Sequence, residues 1–384
     1  MKVCYLTIGA SDDLREWSGI PHFMSQAFAN CGEELVRIQN LRGARSIYLR
    51  CRDLYRQKLL HENYSTFRHR YRLRLYSRQV ERLLVSLKPD VIVCPSTLPV
   101  AYLNTDLPIV VWTDSTFRGL LDFYTGYFGM SRQAIAEGDA AEREALQRCT
   151  LALYASEWAA RSAIADHGAD AGKVHVVPMG ANLENEVTES EVLQNIASRT
   201  AGCCRLLLVG VEWERKGCAV AVDVVKELNR RGLPSLLTIV GCQPPSGFAL
   251  PEFVRIAGFI DKRTPAGMER LQKQFAESHF FILPSRAECF GIVFAEASAN
   301  GVPVLASDAG GIPSAIRQGA NGYLVPLQSG SEEVAGYCDR IVEIIGSPEA
   351  YRQLAESAYA EYRNRLNWRV AAGTAMQLIR ERIG

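Results

Sequence analysis

Along the chain, short runs that are apolar on both faces alternate with longer stretches in which apolar residues recur every three or four positions. The first kind predicts buried parallel strands and the second predicts amphipathic helices. Residues 3–8 read as a strand, and Ile20, Phe23, Met24, Ala27 and Phe28 recur at helical spacing to about Asn30. Further strands are expected at 34–38, 91–95, 109–113, 151–156 and 174–177, with helices at 132–148 and 157–167. The run 182–202 is polar, has no strong period, and reads as a connection between domains. Beyond it the alternation restarts with strand 206–209, a helix from about Lys216 to Arg231, and strands 236–240 and 254–260. A Pro- and Gly-rich loop, 242–251, separates the last two; helix 265–278, strand 280–283 and helices 332–345, 348–363 and 368–383 follow. Repeated strand–helix alternation predicts α/β architecture, and 384 residues exceed one ordinary core, so two doubly wound domains are expected.

The most informative stretch is 284–316, PSRAECFGIVFAEASANGVPVLASDAGGIPSAI. Strand 280–283 ends in a loop carrying Arg286 and Glu288, and Gly291 then opens an Ala-rich helix with Glu296 in its second turn. Strand 303–307 follows and stops at Gly310-Gly311, completing a βαβ unit whose ligand crevice lies at the carboxyl ends of the strands. Two carboxylates beside helix-start amides suit a polyhydroxylated ligand that also carries phosphate. Glutamate accepts from sugar hydroxyls, while the amides take the anion. Upstream, strand 206–209 exits through Gly210 into VEWERKG, and Lys216-Gly217 opens a helix. Adjacent Arg215 and Lys216 at a helix start form a plausible diphosphate clamp, the alternative being a solvated pair at a helix entrance.

Composition narrows the class. Apolar content is 48% and the net charge +1, which argues for a soluble globular protein and against a dedicated nucleic-acid binder. The eleven cysteines are scattered without metal-ligand spacing and read as reduced thiols in the cytoplasm. MKVCYLTIGASDD turns acidic after one short apolar run, so it reads as a first strand, not a signal peptide, and no run approaches the ~20 apolar residues of a membrane span. There is no D-x-D motif or His/Cys cluster, and the six histidines are isolated, so no metal and no Ser-His-Asp arrangement is expected.

Glu288 and Glu296, separated by seven residues with Phe290-Gly291 between them, resemble the E-x7-E signature of retaining glycosyltransferases of family 4 (group 1), which have the GT-B fold. The flanking PSxxE-x-FG and E-x-x-A-x-G-x-PV make the resemblance specific. It implies two facing Rossmann-like, doubly wound domains with an interdomain cleft. Residues 1–182 would form the acceptor side and 183–365 the nucleotide-sugar domain, with a last helix (366–384) crossing back to the first. By the same resemblance Glu296 binds the ribose hydroxyls and Glu288 the donor sugar. Phe290, Gly291, Ile292 and Val293 present amides to phosphate or sugar, and Arg286 either contacts substrate or makes a structural ion pair. Gly258–Lys262 resembles the base-binding loop, acting through main chain near Phe259 and Ile260. Arg215 and Lys216 correspond to the diphosphate-binding pair, although the family commonly places its Arg directly after the glycine, where Val211 stands here.

In the first domain Gly19 stands where the family has a glycine pair lining the cleft, with a plain helix entry as the alternative. Asp114, in WTDSTF, stands near the family's cleft histidine; it either serves the acceptor or caps a helix near Ser115. Residues 42–82 carry twelve Arg or Lys against three Asp or Glu, interleaved with Tyr and Phe, and read as one or two long amphipathic helices. They are either a surface that contacts anionic membrane peripherally, on its inner face, or solvated helices packed on the core. The implied function is a metal-independent, retaining transfer of a hexose from a UDP- or GDP-linked sugar to a hydroxyl acceptor. That acceptor would be a glycan or lipid-linked glycan of cell-surface polysaccharide or glycoconjugate synthesis. Open alternatives are a sugar-phosphate or sucrose-type synthase with a small soluble acceptor, and a non-catalytic nucleotide-sugar-binding module. No cofactor other than the nucleotide sugar, itself a substrate, is expected.

Overall fold

Twelve short strands, the central ones of each sheet mostly buried, build two parallel six-stranded sheets in a computed structural model that describes residues 1–43, 47–199, 202–328 and 330–383. Parts of the basic stretch (44–46) and of the connecting run (200–201) lie outside the described residues. The chain divides into two compact units, Met1–Pro178 together with the residues from Ala371 onward, and Met179–Val370.

The first sheet comprises β1 (Lys2–Leu6), β2 (Glu34–Ile38), β3 (Val91–Cys94), β4 (Ile109–Thr113), β5 (Leu151–Tyr154) and β6 (Val174–Val176). Its order is β2-β1-β3-β4-β5-β6, all parallel, so the winding direction reverses between β1 and β3. Helix Arg70–Leu87 buries Leu73, Tyr76, Val80 and Leu84, an i, i+3, i+7, i+11 stripe, in the core shared with Cys4, Leu6, Ile92 and Cys94. Opposite, Trp112 of β4 is fully buried, donates to Val177 O at 3.1 Å and meets Phe28 edge-on. From Ala371 the last helix, Trp368–Ile383, belongs to this unit, where Arg380 pairs with Glu33.

The second sheet comprises β7 (Cys204–Val209), β8 (Ser235–Val240), β9 (Val254–Gly258), β10 (Phe280–Leu283), β11 (Val304–Ser307) and β12 (Gly322–Val325), in the order β12-β11-β10-β7-β8-β9. Counted from β7, this is the dinucleotide-fold order, with the reversal between β7 and β10. Those two strands pair through Phe280↔Leu206 and Phe281↔Leu207, so their loops leave the sheet side by side.

Several elements differ from expectation. The connecting run contains a helix, Glu189–Ser198, started by a capping box in which the Thr188 hydroxyl accepts from Glu191 N and the Glu191 carboxylate accepts from Thr188 N. Strand β12 was not anticipated. The described part of the basic stretch is no continuous helix: Ile47–Leu54 runs into a π-helical turn, Tyr55–Leu59, and the chain turns at His61 (φ 51°) before helix Arg70–Leu87 begins. Asp114 is not a helix cap. Thr116 caps helix Phe117–Leu120, its hydroxyl accepting from Gly119 N at 3.1 Å.

Candidate active site

A topological switch point collects loops from both halves of a parallel sheet, and at the β7/β10 switch those loops carry the charged residues singled out by sequence. After β7 the chain turns through Glu212 to Gly217, whose φ of 65° caps helix Cys218–Arg230. A Cβ on Gly217 would overlap the Pro284 carbonyl at the end of β10, so only glycine lets this helix start approach β10 so closely. That approach sets Lys216 beside the β10 loop.

Three donors converge on Glu288 Oε1. Lys216 Nζ is in direct contact with it, Arg215 Nη1 lies at 3.3 Å and Ser285 Oγ at 3.4 Å. All of this is nearly sealed, with Lys216 8% and Glu288 5% exposed, so the pairing acts in a medium where charge interactions are strong. Backbone locks it further: Arg286 N donates to Arg215 O at 2.8 Å, Arg215 Nη1 to Ala287 O at 3.1 Å, and Gly311 N to Glu288 O at 2.9 Å. Arg215 also reaches Glu212 at 3.0 Å.

Next along the chain, Phe290 is buried and Gly291 (φ 86°, ψ 75°) caps helix Ile292–Ala299. A Cβ at Gly291 would strike the Phe294 ring, which itself packs edge-on against Phe281 of β10. The helix start is therefore pinned to the sheet, with Gly291 and Val293 partly accessible and Ile292 buried. First-turn amides of a helix have no intrahelical partners and favour an anion. Glu296 is 2% exposed, and both of its carboxylate oxygens accept from Lys262 Nζ at 2.7 Å. Lys262 belongs to the loop after β9, so this pair ties the stretch containing Phe259 (exposed) and Ile260 (buried) to the Glu296 helix. Arg286 makes a two-pronged ion pair with buried Glu333 at 2.8 and 3.1 Å, the structural alternative raised for it. Sequence reading placed Lys262 at the end of the base-binding loop without a side-chain role and did not name Glu333; both meet their partners only through the fold.

Deep beside Lys216 lie Cys218 and Cys242, both buried; the neighbouring Cys218 thiol and then the Lys216 and Arg215 charges pull the Cys242 thiol below its ordinary pKa. In the first unit, Trp17, Ser18 and Gly19 run consecutively through the left-handed region (φ 48°, 56° and 84°). Trp17 Nε1 donates to the Asp114 carboxylate at 3.2 Å, so the loops after β1 and β4 meet there.

Two parallel doubly wound sheets, one in each unit, are the architecture of the GT-B fold class. Comparison with known families is specific: residues 203–344 match the model described as "Glycosyl transferases group 1" and residues 44–185 the one described as "Glycosyltransferase Family 4". The chain belongs to glycosyltransferase family 4. Among curated relatives, D-inositol 3-phosphate glycosyltransferase of Nocardia farcinica is 31% identical over 245 residues, 59% of this chain and 53% of the relative. The chain thus spans about half the length of that relative. Among solved structures, sucrose-phosphate synthase of Thermosynechococcus elongatus superposes with a TM-score of 0.69 at 17% identity, covering 99% of this chain and 98% of that one. Anabaena HepE in complex with UDP-glucose gives 0.63 at 16%, covering 99% and 100%. At such identities the likeness shows the fold.

Proposed function

We propose that this protein transfers a hexose from a nucleoside-diphosphate sugar to a hydroxyl acceptor with retention of anomeric configuration. The observation that carries the reading is the convergence of Lys216 and Arg215 on Glu288 at the β7/β10 switch point, one helix start away from Glu296. Each partner in this cluster has a use in the donor complex. The donor diphosphate draws Lys216 and Arg215 to itself, Glu288 is released to the hydroxyls of the donor sugar, and Glu296 takes the ribose diol. As the sugar–phosphate bond breaks, the two cations and the Gly291 helix start meet charge developing on the departing diphosphate. The acceptor attacks from the face the phosphate leaves, and a phosphate oxygen takes the acceptor's proton. These cations fill the charge-balancing role a divalent metal plays elsewhere, so turnover is expected to persist in EDTA. Asp114, held by Trp17, is assigned to the acceptor side.

The acceptor we favour is a glycan or lipid-linked glycan. A second reading, a small phosphorylated polyol or sugar, is favoured by the names of the Nocardia relative and the Thermosynechococcus structure. The eleven free cysteines fit a reducing, cytoplasmic setting. Melting curves with UDP, GDP and ADP test the donor site, since a ligand bound only by the native state raises the melting temperature. Product analysis over an acceptor panel with the stabilising nucleotide's sugars then tests transfer and stereochemistry. Stabilisation without transfer to any acceptor would support a binding module instead; no stabilisation by any nucleotide would remove the donor-site assignment.

A further inference from the structure

The segment after β2 is mounted with much of its polarity reversed. In helix Ile47–Leu54 and the π-helical turn Tyr55–Leu59, Leu49 is buried, and the other contacts made to the protein are polar. Arg52 donates to Tyr64 Oη at 2.8 Å and to Glu137 at 2.9 Å, while Asp53 accepts from the amide and hydroxyl of Thr66, both at 2.9 Å. Arg56 pairs with Glu62, and Gln57 donates to Tyr64 O at 2.6 Å. The opposite face is hydrocarbon: Ile47 is 78% exposed, Leu54 55%, Tyr55 54% and Leu59 70%. Residues 47, 51, 54 and 55 share one helical stripe, so this is a continuous apolar face turned to solvent, where a surface helix ordinarily turns its polar one.

Exposed hydrocarbon is concentrated in this part of the chain. Half of the exposed large hydrophobic side chains among the described residues fall within 47–85, about a tenth of the chain. Cations edge it: Arg50, Lys58, Arg70, Arg74 and Arg78 are exposed, the last three at every fourth position of helix Arg70–Leu87. The Tyr48 ring packs on His69, which caps that helix, so the apolar face adjoins the start of the cationic row. The two acids between 47 and 80, Asp53 and Glu62, are both held in the inward network.

We propose that this face docks onto the surface of an anionic lipid bilayer, with Ile47, Leu54, Tyr55 and Leu59 in the headgroup–acyl boundary and the flanking cations on lipid phosphates. Apolar side chains bordered by Tyr and long cationic side chains are what an interfacial helix requires. No described helix is long and apolar enough to cross a membrane, which fits a segment that lies on the surface. A nucleic acid would leave the hydrocarbon face wet. A symmetric second copy would set this face, with its exposed Arg50, Lys58 and Arg70, against an identical cation-rich face, since a two-fold interface uses the same patch on both subunits. The proposal does not depend on the donor-site reading.

The test is flotation of the full chain with phosphatidylglycerol-containing vesicles and with pure phosphatidylcholine vesicles. The protein is expected to float with the anionic vesicles at low salt, weakly with neutral ones, and to be released at about 1 M salt, where charges are screened beyond ~3 Å. Replacing Arg50, Lys58 and Arg70 together by Gln should lower partitioning about 10²-fold, at roughly fivefold per cation. The pair Leu54→Ser and Leu59→Ser should lower it at least about tenfold. Both variants alter outward side chains and should keep the wild-type melting temperature. The proposal is overturned by absence of flotation at low salt, by a Leu54/Leu59 variant that floats as well as wild type, or by a doubled solution mass that this variant abolishes without any flotation.

Discussion

Lys262 holds both oxygens of the buried Glu296 carboxylate, and this pair shows what a single residue contributes. Without Lys262 the buried carboxylate would lack its charged donor. Lys262→Met is therefore expected to destabilise the ligand-free protein by about 1–3 kcal/mol. The stabilising nucleotide should raise the melting temperature of this variant by more than it raises that of wild type, because ribose hydroxyls then supply the missing donors. An equal shift in both proteins would place the ribose elsewhere. At this scale the sequence was informative where partners are neighbours or carry a spaced signature. Arg215-Lys216 and the two glutamates could be read from the chain. The partnership of Lys262 with Glu296, 34 positions away, and of Arg286 with Glu333, 47 away, could not, because the sheet order alone brings them together.

Among elements, the pinned start of helix Ile292–Ala299 is the most demanding. Gly291→Ala forces a side chain into a left-handed backbone and onto the Phe294 ring, so melting should show a loss of about 1–3 kcal/mol together with weakened nucleotide binding. Thr188→Ala, which removes the capping box of helix Glu189–Ser198, should cost about 1 kcal/mol and leave nucleotide binding unchanged. Comparing the two separates a helix that serves the site from one that only supports the fold. Helix Glu189–Ser198 escaped a reading based on apolar period because it buries just Val192 and Ile196, although Thr188-x-x-Glu191 carries its start signal. Residues 47–59 illustrate the opposite failure. Their helical period was legible, but periodicity does not say which stripe faces inward; here Leu49 faces in with the polar contacts of Arg52 and Asp53, while Ile47, Leu54 and Tyr55 face out.

For the molecule as a whole, strand–helix alternation made two doubly wound sheets legible, whereas the strand orders and their switch points were not, since nothing local records which strand lies beside which. One buried histidine contributes to the acid stability. Burial pulls His167 down to about 4; its Nε2 accepts from Arg118 N at 3.4 Å. An unfolded histidine titrates near 6.5, so between roughly pH 6.5 and 4 the unfolded chain binds a proton that the native one does not. Stability contributed by this group is present above that window and should fall by about 3 kcal/mol as the pH drops through it. Denaturant midpoints measured against pH would show the slope, and His167→Gln should flatten it; an unchanged slope would assign the acid lability to other groups.

The central claim is that the cations at the β7/β10 switch point stabilise the departing diphosphate. Its most direct test is steady-state transfer by Lys216→Ala, measured with the nucleotide sugar that wild type turns over. The account predicts that kcat falls by ~10²–10³-fold while the variant remains folded, the usual cost of losing one donor that acts in the transition state. A folded Lys216→Ala protein with near wild-type kcat would contradict it.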